Sequence, residues 1–465
     1  MHTLADEIIY GTTNNLLQLL AAGADVNQVD EYGLTPLIET VVVDRIEMAK
    51  VLLEKGANVN KADLTGRTAL HWATDNNNDA FCKLLLKAQA NPNAFTMSGE
   101  PVLVNPLLRR QEELKSFLIQ QGASLSFAQD FINTKLIGHR FELQGDIDIV
   151  DSKEQFIEIE FSGFFLEFTL SLVRDSLLRY QNNFSARALR LYFENIRRMT
   201  DALGIAAALI KYQQHTRELE KYKSEINQLL NHPLLLIPVC YAGHAVTFIK
   251  YQNFLVKCDR GENSHREGSV NVYLVRRPEK LTEAFIAGLI YKRQRREFVH
   301  EGINKLLSLE TIAQIPLDPQ VTGNCSWANV DAAVCAMLFL LLMVDEAYDA
   351  EKAMHSAVLF YCQWQEWDKD RAMEECIQSM AYSSKPRQAS KAMTLASILF
   401  QACQFGIPPD MARAGKILQV LGKPTYLPIL KSYSEVFSKN PALERDNAHG
   451  KNLLSLLDYF DIDLR

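Results

Sequence analysis

Four residues in the middle of this chain have the types that together could do thiol chemistry: His244, Asp259, Gln320 and Cys325, in that order. Gly243-His244-Ala245-Val246-Thr247-Phe248 reads as a strand, and Phe254-Leu255-Val256-Lys257-Cys258 leading into Asp259-Arg260-Gly261 reads as the next. A hairpin turning over 250–253, with Asn253 in the left-handed conformation, centres between 251 and 252 and puts 244 opposite 259. An imidazole and a carboxylate opposite one another on one sheet face can hydrogen-bond, which fixes the tautomer and stabilises imidazolium. Cys325 opens a long apolar helix, where the dipole and a neighbouring histidine favour the thiolate. Gln320, on the preceding loop, could donate its amide N–H to an oxyanion beside the backbone N–H of Cys325. Taken singly, a helix-opening Cys is ordinary core packing, a strand-start His is a satisfied polar group and Asp-Arg-Gly is an ordinary turn. Order and placement together point to a nucleophilic thiol site. Cys335 and Cys258 read as packing.

The elements that must position these residues follow from hydrophobic periodicity. Strands are expected at 234–240, 245–249, 254–257 and 269–275, with shorter alternation at 140–150 and 155–161. Apolar residues at helical spacing mark 163–180 and 186–230, the latter broken near Gly204, then 281–309 and the segment after Cys325. From 347 onward the chain reads as helical hairpins interrupted at Ser383-Ser384-Lys385-Pro386, Pro408-Pro409 and Lys423-Pro424. This half is therefore α+β with a helical C-terminal region. The apolar run 332–344 is bracketed by Asp331 and Asp345 and is shorter than the roughly 18 residues a bilayer crossing needs, so it reads as a buried central helix.

The N-terminal part is periodic. Gly23-Ala24-Asp25-Val26-Asn27 recurs as Gly56-Ala57-Asn58-Val59-Asn60, then Gln89-Ala90-Asn91-Pro92-Asn93 and Gly122-Ala123-Ser124-Leu125-Ser126, each step 33 residues. A second landmark, Gly33-Leu34-Thr35-Pro36-Leu37, keeps the same register at Gly66 and Gly99. Thr35 caps a helix, Pro36 sits where its missing N–H costs nothing, and Gly56 supplies a helix stop. Each unit is a helix pair and a turn that buries its apolar face only by stacking. This text resembles the ankyrin family over Leu4 to about Gln129 and implies four repeats. In that family partners bind along the hairpin tips and inner helix faces. Carried over, the tips are Glu31 and Tyr32, Leu64 and Thr65, and Thr96 and Met97, whose bland alternative is solvated turn. Asn27, Asn60 and Asn93 occupy positions that asparaginyl hydroxylases modify in some ankyrin proteins; their commoner role is turn hydrogen bonding.

Composition bounds the rest. The 465 residues are 48% apolar and 23% charged with net charge −7, enough for a sizeable core and two or three domains and no overall attraction to nucleic acid. Lys292-Arg293-Gln294-Arg295-Arg296 could be a nuclear-import or phosphate patch, with a solvated helix face as the plainer reading. Eight cysteines without a CxxC pair or zinc spacing suit a reducing compartment, so neither a disulfide framework, a metal nor a cofactor is expected. MHTLADEIIY lacks the pattern of a Sec-type signal. Nothing in the sequence indicates an oligomeric state.

The order His, Asp, Gln, Cys, with Gln shortly before a helix-starting Cys, resembles the clan CE cysteine proteases, which include adenoviral and ubiquitin-like proteases and effector acetyltransferases. Cys-Ser-Trp-Ala at 325–328 is also similar to papain-like enzymes, whose order is Cys first. The resemblance implies Cys325 as nucleophile, His244 as general base, Asp259 as its orienter and Gln320 as oxyanion donor. It implies three domains: ankyrin repeats at 1–128, a cysteine-protease-like domain at 129–346 with a helical insertion around 185–231, and helices at 347–465. The combination resembles the ankyrin effectors that intracellular bacteria such as Legionella inject into host cells. That implies type IV secretion into the host cytosol, with the basic run as a route to the nucleus. A host protein would be bound by the repeats and a peptide, isopeptide or acyl bond handled at Cys325. The alternative is a catalytically silent pseudoprotease acting as a scaffold.

Overall fold

The computed structural model describes residues 3–161, 163, 165–241, 243–261, 264–321, 323–438 and 448–464. Paired helices Leu4–Tyr10 and Thr13–Ala21, Pro36–Val42 and Ile46–Glu54, Ala69–Asp75 and Asp79–Lys87, and Val104–Leu108 and Glu112–Gln120 form the N-terminal stack. Thr35 caps its helix by accepting the Ile38 N–H at 3.2 Å, with Pro36 in the first turn. The asparagines that recur every 33 residues stitch each repeat to the next. The amide oxygens of Asn27, Asn60 and Asn93 accept the N–H of Asn58, Asn91 and Ser124, each at 2.7 Å. Their amide nitrogens donate to the carbonyls of Gly56, Gln89 and Gly122. The turn role expected of these residues is thus an inter-repeat ladder.

Helix Leu125–Arg140 follows and runs straight through the expected boundary at 128/129. Alternation had suggested strand from 140; instead Arg140 ends this helix, and the strand β1 starts at Asp146. β1 (Asp146–Val150) pairs with β2 (Phe156–Glu160) as an antiparallel hairpin. A second, five-stranded antiparallel meander is formed by β3 (Leu234–Tyr241), β4 (His244–Tyr251), β5 (Phe254–Cys258), β6 (Val270–Val275) and β7 (Leu309–Ile315), in that spatial order. β7 had no counterpart among the expected strands. It is a mostly exposed edge strand rich in Glu, Thr and Gln, so its alternation is weak.

Helices Leu166–Gln181, Phe193–Lys211 and Cys325–Val344 pack beside this sheet and share its core. The expected break at Gly204 is absent. Gly204 lies inside Phe193–Lys211, where a Cβ would come 3.2 Å from the Arg174 guanidinium, so the glycine serves close packing. The expected insertion is also core: Met199, Leu203 and Ala206 are fully buried and their helix lies on β3. Cys325–Val344 is long and apolar enough to cross a membrane by composition, but Trp327 through Leu342 are buried inside the domain.

A second core joins distant parts of the chain. Repeat residues from Leu37 onward, the Leu125 helix and the β1–β2 hairpin pack with C-terminal helices Lys385–Ala402 and Pro408–Leu421 and the latter half of Ala350–Met380. Leu4, Ile8, Leu16, Met48 and Leu52 form a smaller cluster of their own. Ion pairs fasten the joints. Arg140 lies over the rings of Trp327 (4.4 Å) and Trp364 (5.2 Å) and pairs with Asp331 at 3.4 Å and with Asp368. Asp130 is held by Arg387 and Lys391, and Arg109 grips Glu167 through two nitrogens at 3.2 and 3.1 Å.

Candidate active site

The β4–β5 register is Tyr251↔Phe254 through Thr247↔Cys258, so the hairpin centres between 252 and 253. The left-handed residue is Gln252, φ 50°, and Asn253 is not among the residues with positive φ. The register therefore lies two residues from the expected one. Continued past Cys258, it sets position 261, not 259, against His244. A two-residue displacement leaves side chains on the same face, so His244 reaches Asp259 as a diagonal neighbour. Its Nε2 lies 3.0 Å from Asp259 Oδ1. Opposite the ring sits Gly261, where a Cβ would stand 2.4 Å from His244 Cε1; only a glycine lets the imidazole lie across this strand end.

Cys325 is the first residue of its helix. Its Sγ accepts the backbone N–H of Ala245 at 3.2 Å and hydrogen-bonds the His244 side chain. With Nε2 engaged by Asp259, the nitrogen left for the thiol is Nδ1. Burial pushes the Cys325 thiol up, but the His244 hydrogen bond, the Ala245 N–H, the imidazolium charge and the Ser326 N–H outweigh it and hold the thiol below its ordinary value. Burial likewise pulls His244 down, and its bonds to Asp259 and Cys325 overcome this, raising it to about 9. Burial of Asp259 is offset by the bond and charge of His244, by Lys257 and by the Gly261 N–H, which together keep the carboxyl low. Each of the other seven cysteines has its thiol pushed up by burial. Cys325 is the one poised toward thiolate.

Gln320 is anchored next to the acid, its N–H donating to Arg260 O at 2.8 Å. Its side-chain Oε1 is buried without a hydrogen-bond partner. Of the tip residues, Glu31, Tyr32, Leu64, Thr65 and Met97 are exposed. Thr96 is a correction: it is buried, and its hydroxyl binds Ser98 and accepts the Glu100 N–H at 3.1 Å, so it builds the turn.

Comparison places this architecture among known proteins. A family model for ankyrin repeats in three copies matches residues 5–96. None of the curated proteins matches. The solved structure of the Legionella effector AnkH is 45% identical, covers 99% of this chain and 98% of its own, and superposes with a TM-score of 0.86. The chain belongs to the AnkH family. In this AnkH-family chain the ankyrin region continues into a domain of helices and a five-stranded antiparallel sheet.

Sequence reasoning missed three positioning groups. Asn329, fully buried one turn after Cys325, accepts the Arg260 N–H at 2.7 Å and donates to Ala245 O at 2.6 Å. It ties the His244 strand and the Asp259 turn to the Cys325 helix. A lone Asn on a helix expected to be buried was a signal, because it needs two partners. Gly261 was taken as an ordinary turn residue. Behind the acid, Lys257 Nζ lies 3.0 Å from His300 Nδ1, which leaves Nε2 to bond the Tyr241 hydroxyl at 2.7 Å. His300 fell inside an expected helix, and nothing in its local sequence marks the contact.

Proposed function

We propose that this AnkH-family chain is a secreted effector that binds a host protein through its ankyrin repeats and acts on a carbonyl substrate through a Cys325-His244-Asp259 site of cysteine-protease type. The carrying observation is the single lowered thiol, bridged by His244 to a buried carboxylate. Cys325 thiolate attacks the carbonyl carbon, and the oxyanion is met by the Cys325 N–H and the Gln320 amide. The His244 imidazolium gives its proton to the departing amine, leaving a thioester. Water, or an acceptor amine, then attacks the thioester while His244 takes a proton, giving hydrolysis or acyl transfer of a peptide or isopeptide group. Family membership supports delivery into a host cell, as implied for type IV effectors.

The test is mass-spectrometric mapping of iodoacetamide labelling near pH 6 across all eight cysteines, wild type against His244→Ala. Selective labelling of Cys325 that depends on His244 is the expected result. Labelling no faster than at the other cysteines would favour a silent scaffold, with function residing in the repeat surface.

A further inference from the structure

Four depressions are linked, each to another, by shared lining residues. The largest, about 630 Å³, opens between Met97 at the third tip and the β1–β2 hairpin. It shares Ser98, Glu100 and Phe165 with a second of about 450 Å³, which is lined by Tyr32, Leu64 and Thr65 at the other tips. Phe165 also lines a third, about 330 Å³, which extends past Arg109 to Gln213 and Cys240. Gln213 and Cys240 in turn line a fourth, also about 330 Å³, with Tyr241 and Gly243, immediately before His244. Phe165, 46% exposed, is thus the midpoint of a path from the ankyrin tips to Cys240, which pairs across β3 and β4 with Ala245, the residue whose N–H holds the Cys325 sulfur.

The two ends of this path carry opposite charge. The tip end is bordered by the exposed carboxylates Asp146, Glu158 and Glu160. Lys135 at the same end is buried, its ammonium donating to Glu160 O at 2.6 Å. The thiol end is bordered by Lys292 and Arg293, both exposed. These are the first two residues of the basic run, which thereby gains a place beside the site. The Arg109–Glu167 pair ties the last repeat, and the Arg140–Asp331 pair the helix that follows it, to the sheet domain.

We propose that the ankyrin face and the Cys325 site form one continuous substrate groove, occupied by an extended protein segment with basic residues at the repeats and acidic residues near the scissile bond. The protein captured by the repeats is then the substrate itself, bound in line with the thiol. This rests on the thiol reading above, and the two are tested separately.

The experiment uses the full chain with Cys325→Ala and fluorescein-labelled peptides of about 20 residues, which reach roughly 65–70 Å when extended. The set comprises basic-then-acidic, acidic-then-basic, all-basic, all-acidic and neutral sequences, each with a central Leu, and binding is read by anisotropy. One mixed-charge peptide is expected to bind tightest. Its affinity should fall about 3- to 10-fold with Asp146→Lys/Glu158→Lys, again with Lys292→Glu/Arg293→Glu, and also with Phe165→Ala. These side chains are exposed, and unchanged melting verifies the fold. The same peptide should slow iodoacetamide labelling of wild-type Cys325. Sensitivity at one end only, or mixed-charge peptides binding no better than the neutral one, overturns the groove. His244-dependent labelling without peptide reports the thiolate alone, so failure of either idea is seen independently.

Discussion

Replacing Asp259 by Asn keeps the shape of the side chain and removes its charge. The asparagine oxygen can still accept from His244 Nε2 across the present 3.0 Å, so the ring stays in place. What is lost is a charge-assisted hydrogen bond inside a buried site, on the order of 1.5–3 kcal/mol. At about 1.4 kcal/mol per pKa unit, His244 drops by roughly one to two units. Cys325 loses part of the imidazolium that holds its thiol down. At about pH 8, between the lowered titration of His244 and its present one near 9, the thiolate fraction, and with it the second-order rate of iodoacetamide labelling at Cys325, should fall up to about 10-fold. At a pH well above the thiol's own titration, variant and wild type should converge. The assay is labelling rate against pH with mass-spectrometric readout at Cys325 and Cys240 as the internal reference. An Asp259→Asn profile that overlays wild type at about pH 8 would refute the idea that this carboxylate sustains the ion pair.

Gly261→Ala places a methyl against His244 Cε1, so Cys325 labelling at pH 6 should drop toward the His244→Ala level while circular dichroism stays native. Asn329→Ala leaves the Arg260 N–H and Ala245 O buried without partners, a loss of about 2–5 kcal/mol visible as a lower urea midpoint. Arg140→Ala leaves Asp331 to Tyr361 and Gln365 and Asp368 to Arg371, so the loss is that of the Arg140 contacts, about 1.5–3 kcal/mol by the same measurement. His244 is raised from 6.5 to about 9, so its contribution to stability is complete below pH 6.5 and is lost as pH rises through about 9. The melting difference between wild type and His244→Gln should shrink over that rise, and turnover should decline with it.

The repeats were legible because one unit recurs with two landmarks, and stacking reads the same residues each time. β3 to β6 were legible from alternating apolar runs. The two-residue error in the hairpin centre came from choosing Asn253 over Gln252 as the left-handed residue, a choice that only the packed strands decide. It did not move His244 off the face of Asp259, because side-chain direction repeats every second residue. Arg140 looked like a strand start because a buried arginine breaks the pattern of a helix, and its partners lie 191 and 228 residues away in sequence. Gly204 and Gly261 show the same limit: a glycine's purpose lies in what approaches it.

The core shared by the two ends of the chain has a consequence for how the molecule is made. Phe127, Phe131 and Ile149 leave the ribosome long before Met373, Leu395 and Leu418, which belong to the same core. At about 5–20 residues per second, the roughly 250 residues between take on the order of 10–50 s to synthesise. For that interval the nascent ankyrin end and its hairpin carry a bare apolar face. A ribosome-stalled chain ending near residue 346 should therefore bind a holdase chaperone through this face and be released from it once the last helices are synthesised.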